Sequence, residues 1–163
     1  MSRIFKELSS AIEEGNVAYV RALIEGSKDR IKEMTPFGTW LHVAATSGQL
    51  DVVKLLLELG ADVNERGGPL NGSAINEAAT EGHLSVVRML IDAGADLDTS
   101  EPERNPLFSA IYGGHLEIVK LLVNAGIDPS IKYTGEYMKD MDAVAFARER
   151  GQTAIADYLE SLR

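Results

Sequence analysis

A glycine returns at nearly regular intervals along the 163-residue chain. Similar residues surround it in the segments SGQLDVV (47–53), EGHLSVV (81–87) and GGHLEIV (113–119), and shorter copies occur near both ends. The recurring glycines are Gly15, Gly48, Gly82, Gly114 and Gly151, so the successive intervals are 33, 34, 32 and 37 positions. A period of this length is typical of repeat proteins, in which similar units stack along one axis and share a continuous core.

Each unit predicts two short helices and an extended connector. Residues 52–59 are apolar nearly all round and are followed by Gly60, a residue that accepts the positive φ found just after many helices. Thr39 and Ser73 stand where an N-cap would begin the first helix of a unit. Because helices of about two turns are unstable alone, the units must be stabilised by stacking on one another.

These residues resemble the ankyrin repeat. The family pattern is matched by GTWLHVAA (38–45) and GSAINEAA (72–79), and by LGADVN (59–64) after the second helix. The resemblance implies an all-α ankyrin-repeat solenoid of helix-turn-helix units joined by β-hairpin-like connectors. Trp40 replaces the usual proline, Asn76 and Phe108 replace the usual histidine, and an insertion falls within residues 132–139.

The repeat spacing predicts a single domain over residues 1–163. Its approximate units are 1–33, 34–67, 68–99, 100–132 and 133–163. In the first and last units the apolar residues lie on one helical stripe, opposite charged residues. Such polar outer faces are typical of capping units, so we expect a complete array of five.

The net charge of the chain favours some classes of binding partner over others. The chain has 16 basic and 25 acidic residues and a formal net charge of −9, which disfavours nucleic acid and anionic membranes and favours a protein with a basic surface. It has no cysteine, no signal-peptide pattern at its start and no apolar run long enough to span a bilayer. We expect a soluble, cytoplasmic monomer.

Catalytic motifs are not found in the sequence. It contains no His-Glu-x-x-His zinc motif, no phosphate-binding loop and no nucleophile elbow. His42, His83 and His115 occupy repeat positions, and we expect each ring to join the connectors of its own or the next unit. The sequence therefore predicts no enzyme, no catalytic residue, no metal site and no cofactor. An enzyme or small-ligand-binding protein is the less favoured alternative, and a cavity lined by titratable groups would be its sign.

The resemblance implies a protein-binding module that uses the connector tips and the concave face of the first helices. The candidate partner-binding residues are Glu13, Glu14, Phe37, Trp40, Thr46, Arg66, Leu70, Glu81, Glu103, Arg104, Tyr112, Tyr133, Tyr137 and Met138. Large aromatic residues at turns are typical interface anchors. For Phe37 and Trp40 a second interpretation is equally open, in which both fold back over the first interface between units.

The sequence leaves the mode of action open. The chain would mask or scaffold its partner, either as an inhibitor or immunity-type protein that blocks an enzyme or toxin, or as an adaptor that bridges two proteins. A chain made only of repeats favours inhibition slightly, because adaptors usually carry a second module.

Overall fold

The computed structural model describes residues 2–27 and 29–163. Within them the α-helices form five successive pairs: α1 (Arg3–Glu13) and α2 (Val17–Glu25), α3 (Trp40–Thr46) and α4 (Leu50–Glu58), α5 (Ala74–Glu81) and α6 (Leu84–Asp92), α7 (Pro106–Gly113) and α8 (Leu116–Asn124), α9 (Ala143–Glu149) and α10 (Thr153–Glu160). A 3₁₀ turn (Arg30–Lys32) precedes the short strands β1 (Met34–Thr35) and β2 (Gly38–Thr39). The predicted all-α ankyrin-repeat solenoid is confirmed.

The pairs stack in chain order and share one core. The first helices pack as a row from α1 through α3, α5 and α7 to α9, and the second helices form a parallel row from α2 to α10. In α4 the side chains of Val52, Val53, Leu55 and Leu56 are buried, as expected for a helix held between neighbouring units. Leu90 in α6 and Leu122 in α8 occupy the same place in later units and are also buried. Burial between layers thus stabilises each unit.

In the α3 and α5 units, the same position of the first helix joins the unit to the following connector. His42 Nδ1 accepts a hydrogen bond from the Thr39 amide at 3.1 Å, while Nε2 lies 3.2 Å from the Gly72 carbonyl and can donate to it. Asn76 repeats the arrangement, accepting from the Ser73 amide and donating to the Arg104 carbonyl. The prediction for His42 is therefore confirmed.

His83 and His115 point the opposite way, so the prediction that they join connectors is wrong. His83 Nε2 lies 2.9 Å from the Thr46 carbonyl, and His115 Nε2 lies 2.9 Å from the Thr80 carbonyl. Both acceptors belong to the first helix of the preceding unit. Gln49 makes the equivalent contact, donating to the Glu13 carbonyl at 2.7 Å. These side chains satisfy carbonyls at helix C-termini, which have no partner inside their own helix.

The repeat glycine makes this contact possible. Gly48 has a φ of +69°, and a Cβ there would lie 2.4 Å from Nδ1 of His83. Any other residue would therefore combine backbone strain with a steric clash. The glycine period therefore reflects positive φ at all five positions and a steric requirement at Gly15, Gly48, Gly82 and Gly114.

The connectors differ in regularity. Strands β1 and β2 pair antiparallel, with Met34 opposite Thr39 and Thr35 opposite Gly38, whereas Gly67 and Gly72 form a single bridge. The insertion before the last pair folds as a wider hairpin closed by two backbone hydrogen bonds between Tyr133 and Met141.

Trp40 is not an interface anchor, because its side chain is 1% exposed. The indole lies at the first position of α3, with its ring centroid 5.4 Å from that of Phe5 in α1. The alternative interpretation, folding over the first interface between units, is correct for Trp40. It is wrong for Phe37, whose side chain is 56% exposed.

Tyr133 is also buried, with 8% of its surface exposed, so it too is wrongly predicted as an interface anchor. Its hydroxyl donates to the Thr99 carbonyl at 2.7 Å and accepts from Asn105 Nδ2 at 3.0 Å. Its ring meets Phe108 edge-on, and Phe108 stacks on Phe146 at 4.8 Å. This aromatic cluster replaces the His42-type contact in the unit where Phe108 stands at the histidine position.

Candidate functional site

A groove runs between the row of first helices and the connector tips. Positions four, seven and eight after the N-cap residue share one helical face because they are separated by three and four residues. In the described residues this face carries Val43 and Thr46 on α3 with Ser47 just after it, Glu77, Thr80 and Glu81 on α5, Ser109 and Tyr112 on α7, and Phe146 on α9. Two clefts open in the groove.

The N-terminal cleft has a volume of about 300 Å³ and lies over α3. Val43 forms its floor, and Phe37 and Pro69 from two connector tips form its apolar walls. A carboxylate stands at each side, Glu13 from α1 and Glu77 from α5. The cleft therefore combines apolar walls with two acidic groups.

Among the described residues, neither carboxylate has a cationic partner. Across residues 2–27 and 29–163, no Lys or Arg nitrogen within 4.0 Å forms an ion pair with Glu13 or Glu77. Burial raises the pKa of the half-buried Glu77, and the nearby charge of Glu81 raises it further. The site thus holds negative charge that the rest of the described chain leaves uncompensated.

The C-terminal cleft has a volume of about 240 Å³ and lies over α7. Its lining is largely apolar, and its larger side chains are Leu70, Pro102, Phe108, Tyr112, Met138 and Phe146. Glu103 is the one charged residue in that lining. The ring of Tyr112 is 55% exposed, and the Arg150 guanidinium lies 4.3 Å from its centroid. An aromatic side chain held on one face by a cation is presented to solvent on its other side.

The structure brings half of the predicted site residues into these clefts. Glu13, Phe37 and Thr46 line the N-terminal cleft, and Leu70, Glu103, Tyr112 and Met138 line the C-terminal cleft. Glu14 and Glu81 are exposed at the ends of α1 and α5, and Tyr137 is 84% exposed at the tip of the last connector. These three lie outside both linings.

Arg66 and Arg104 lie elsewhere, in a polar depression of about 500 Å³ between connectors. Arg66 pairs with Asp98, and Arg104 pairs with Glu101. Hydrogen bonds from Ser100 lower the pKa of Asp98, which keeps this carboxylate charged for its partner. Both arginines are therefore paired within the chain, and neither is in the lining of the two groove clefts.

Sequence reasoning missed several lining residues, above all Val43, Glu77 and Phe146. All three stand four positions after the N-cap residue of their helix. On the first helices the residues predicted from the sequence, such as Thr46 and Tyr112, lie about one turn later, at or near the helix end. Aligning the units on their N-caps would have identified this further position from the sequence.

Three observations on the described part of the chain concern metal binding, histidine chemistry and membrane insertion. No group of three or more His, Cys, Asp or Glu side chains there is arranged to hold a metal ion. His42 is 1% exposed, burial lowers its pKa, and both ring nitrogens are engaged. Among the described helices, none is both long and apolar enough to cross a membrane.

The comparisons with known proteins agree with the fold. The family model for ankyrin repeats (3 copies) matches residues 8–67 and 68–133. A probable E3 ubiquitin-protein ligase, XBOS33 of Oryza sativa subsp. japonica, is 44% identical over 63 residues. That segment is 37% of this chain and 12% of the rice protein, so the likeness concerns a small part of the relative. With the family model matching well over half of its residues, the chain belongs to the ankyrin-repeat family.

Proposed function

We propose that this chain is a non-catalytic module that binds a partner protein along its groove and thereby masks or scaffolds it. Ankyrin repeats bind other proteins, and the family is generally non-catalytic. The observation that carries the proposal is the pair of clefts, where exposed apolar side chains gather on one face. Phe37 stands over one cleft and Leu70 and Tyr112 over the other, and all three are exposed. Concentrations of this kind mark interaction sites.

The surface away from the groove gives a contrast. Tyr19 on α2 and Leu162 after α10 are exposed apolar residues outside both groove clefts, although Leu162 borders a separate depression beside α8 to α10. Scattered exposed hydrophobic residues are common on soluble proteins and need no partner. These two residues therefore serve as a matched control for the groove.

The partner should have a basic surface, because the chain carries a net charge of −9 and no described Lys or Arg pairs with Glu13 or Glu77 in the groove. Whether the module blocks an enzyme or toxin or bridges two proteins depends on that partner. Ubiquitin-ligase activity is not part of the proposal, since the matched segment is 12% of the rice protein.

Quantitative capture from lysate of the source cells tests the proposal. Three baits are compared: the wild-type chain, a groove variant (Phe37→Asp with Tyr112→Asp) and a control variant (Tyr19→Asp with Leu162→Asp). Circular dichroism verifies that all three are equally folded. We expect a protein that the wild type and the control variant retain and the groove variant loses. If a partner is lost only from the control variant, the interface lies on the outer helices and the proposal is contradicted.

A further inference from the structure

We infer that the groove accepts an extended segment of the partner in which a Lys or Arg side chain fills the N-terminal cleft and a large apolar side chain fills the C-terminal cleft. This inference rests on the proposed function and specifies the chemistry of the segment that the groove recognises. It follows from the different linings of the two clefts and from their separation.

The N-terminal cleft suits a long cationic side chain. Phe37, Val43 and Pro69 offer an apolar path for its methylene stem. Glu13 and Glu77 stand at the sides of the cleft with no cation from the described chain paired to either. An incoming ammonium or guanidinium group would supply the missing charge where partial burial strengthens ion pairing.

Glu77 is the more informative of the two carboxylates. Its surroundings raise its pKa, which means that the folded chain disfavours its charged form. A bound cation would reverse this effect. Holding this carboxylate in the groove without a cation from the described chain costs free energy. A cation from the partner would offset that cost.

The C-terminal cleft favours an apolar side chain. Its lining contains Leu70, Phe108, Met138 and Phe146 and a single charged residue. Arg150 already covers one face of the Tyr112 ring and would repel a second cation there. A Leu, Met or Phe side chain would bury apolar surface against this lining without leaving a charge unpaired.

The geometry of the solenoid sets the spacing. The clefts lie over α3 and α7, which are separated by two helix-to-helix steps, or roughly 16–20 Å at 8–10 Å per step. An extended chain advances about 3.3 Å per residue, so the cation and the apolar residue should be about five or six positions apart. The clefts meet at one connector tip, where Pro69 lines the first and Leu70 the second. One continuous segment can therefore reach both.

Selection from a displayed library of random linear peptides tests the inference. The baits are the wild-type chain, the groove variant, a carboxylate variant (Glu13→Gln with Glu77→Gln) and a control (Asp92→Asn with Asp157→Asn). The control removes the same number of charges from exposed positions on α6 and α10. Because the pKa of Glu77 is raised in the folded chain, the carboxylate variant should fold at least as stably as the wild type at neutral pH.

We expect peptides that prefer the wild type over the groove variant to carry Lys or Arg about five or six positions from a large apolar residue. The carboxylate variant should bind them about tenfold more weakly, as for loss of a charged hydrogen-bonding partner, and the control should bind them normally. Replacing the peptide's Lys by norleucine should weaken binding to the wild type by a similar factor. It should have little further effect on the carboxylate variant, since the two changes remove the same interaction.

Four results would overturn the inference. If groove-dependent peptides show no preference for a cation, or bind the carboxylate variant normally, the inference is wrong and the proposed function stands. If no peptide prefers the wild type over the groove variant, an extended segment is not recognised, and the lysate comparison alone decides the proposed function. A wild-type dimer in sedimentation that the groove variant loses would identify a second copy of this chain as the occupant.

Discussion

Phe37 and Trp40 are aromatic residues three positions apart with opposite surroundings. Trp40 is buried against Phe5, and Phe37 stands over the N-terminal cleft. Trp40→Ala should lower the free energy of unfolding by about 3–5 kcal/mol, because it leaves a cavity in the core. Phe37→Ala should change it by less than about 0.5 kcal/mol while weakening partner binding. Urea unfolding measures both, and equal losses would contradict the assigned roles.

His42 should make the stability of the chain depend on pH. Burial lowers its pKa below the usual 6.5, so the unfolded chain binds the proton more readily than the folded chain. Its contribution to stability is therefore complete above pH 6.5 and is lost as the pH falls below that value. His42→Asn should remove this part of the acid sensitivity, because Asn76 makes the same contacts in the next unit without titrating. Urea midpoints measured between pH 7.5 and 5.5 for both chains test this, and unchanged acid sensitivity in the variant would assign the effect to other groups.

Three of the repeat glycines, Gly48, Gly82 and Gly114, are followed by a side chain that bonds to the first helix of the preceding unit. Histidine does this twice and glutamine once, in each case by donating to a carbonyl of the preceding helix. His115→Gln should therefore be nearly neutral, whereas His115→Ala should lower the free energy of unfolding by about 0.5–1.5 kcal/mol. Thermal or urea unfolding of the two variants gives the comparison. Equal destabilisation by the two variants would show that the His115 ring stabilises the fold by packing and not by its hydrogen bond.

The helix pairs could be predicted from the sequence because the requirements of a pair are local. Thr39 and Ser73 precede their helices as caps, and the repeat glycines need positive φ at each turn. Contacts between units are not encoded in this pattern. The burial of Trp40 depends on Phe5 in the preceding unit. That of Tyr133 depends on Thr99 and Asn105.

The groove was predicted in part for the same reason. The resemblance to ankyrin repeats implied that the concave face of the first helices binds partners, and on that basis Thr46 and Tyr112 were predicted; both line a cleft. It does not show that connector tips from successive units close over that face to form two clefts. That Glu77 forms no ion pair with a described Lys or Arg depends on where those cations lie in the fold, and the repeat pattern does not show this.

The net charge of the whole molecule and its exposed aromatic side chains should affect different steps of binding. A net charge of −9 speeds the encounter with a basic partner, whereas exposed aromatic side chains hold the complex together. Glu13→Lys with Glu81→Lys should slow association, and the effect should shrink in high salt. Tyr112→Ala should mainly raise the dissociation rate. Surface plasmon resonance at two salt concentrations with the captured partner separates the two, and an acidic partner would contradict this model.

The solenoid should also respond to core damage according to position. Leu90 in α6 and Leu159 in α10 are both buried, and either change to Ala should cost about 2–5 kcal/mol. The two helices differ in their neighbours, because α6 packs between α4 and α8, whereas α10 packs on α8 and α9. Since each unit is stabilised mainly by those next to it, Leu159→Ala should open α9 and α10 and leave α1 to α4 protected.

Leu90→Ala should instead weaken both sides of the central unit and reduce protection from α3 to α8. Native-state hydrogen exchange, read helix by helix, distinguishes these patterns from uniform unfolding. Leu90→Ala should also loosen the unit that lies between the two clefts, since the N-terminal cleft lies over α3 and the C-terminal cleft over α7. A partner segment that spans both clefts would then restore protection to α5 and α6 when it binds. Equal loss of protection in all helices for both variants would show that the chain unfolds as a single cooperative body.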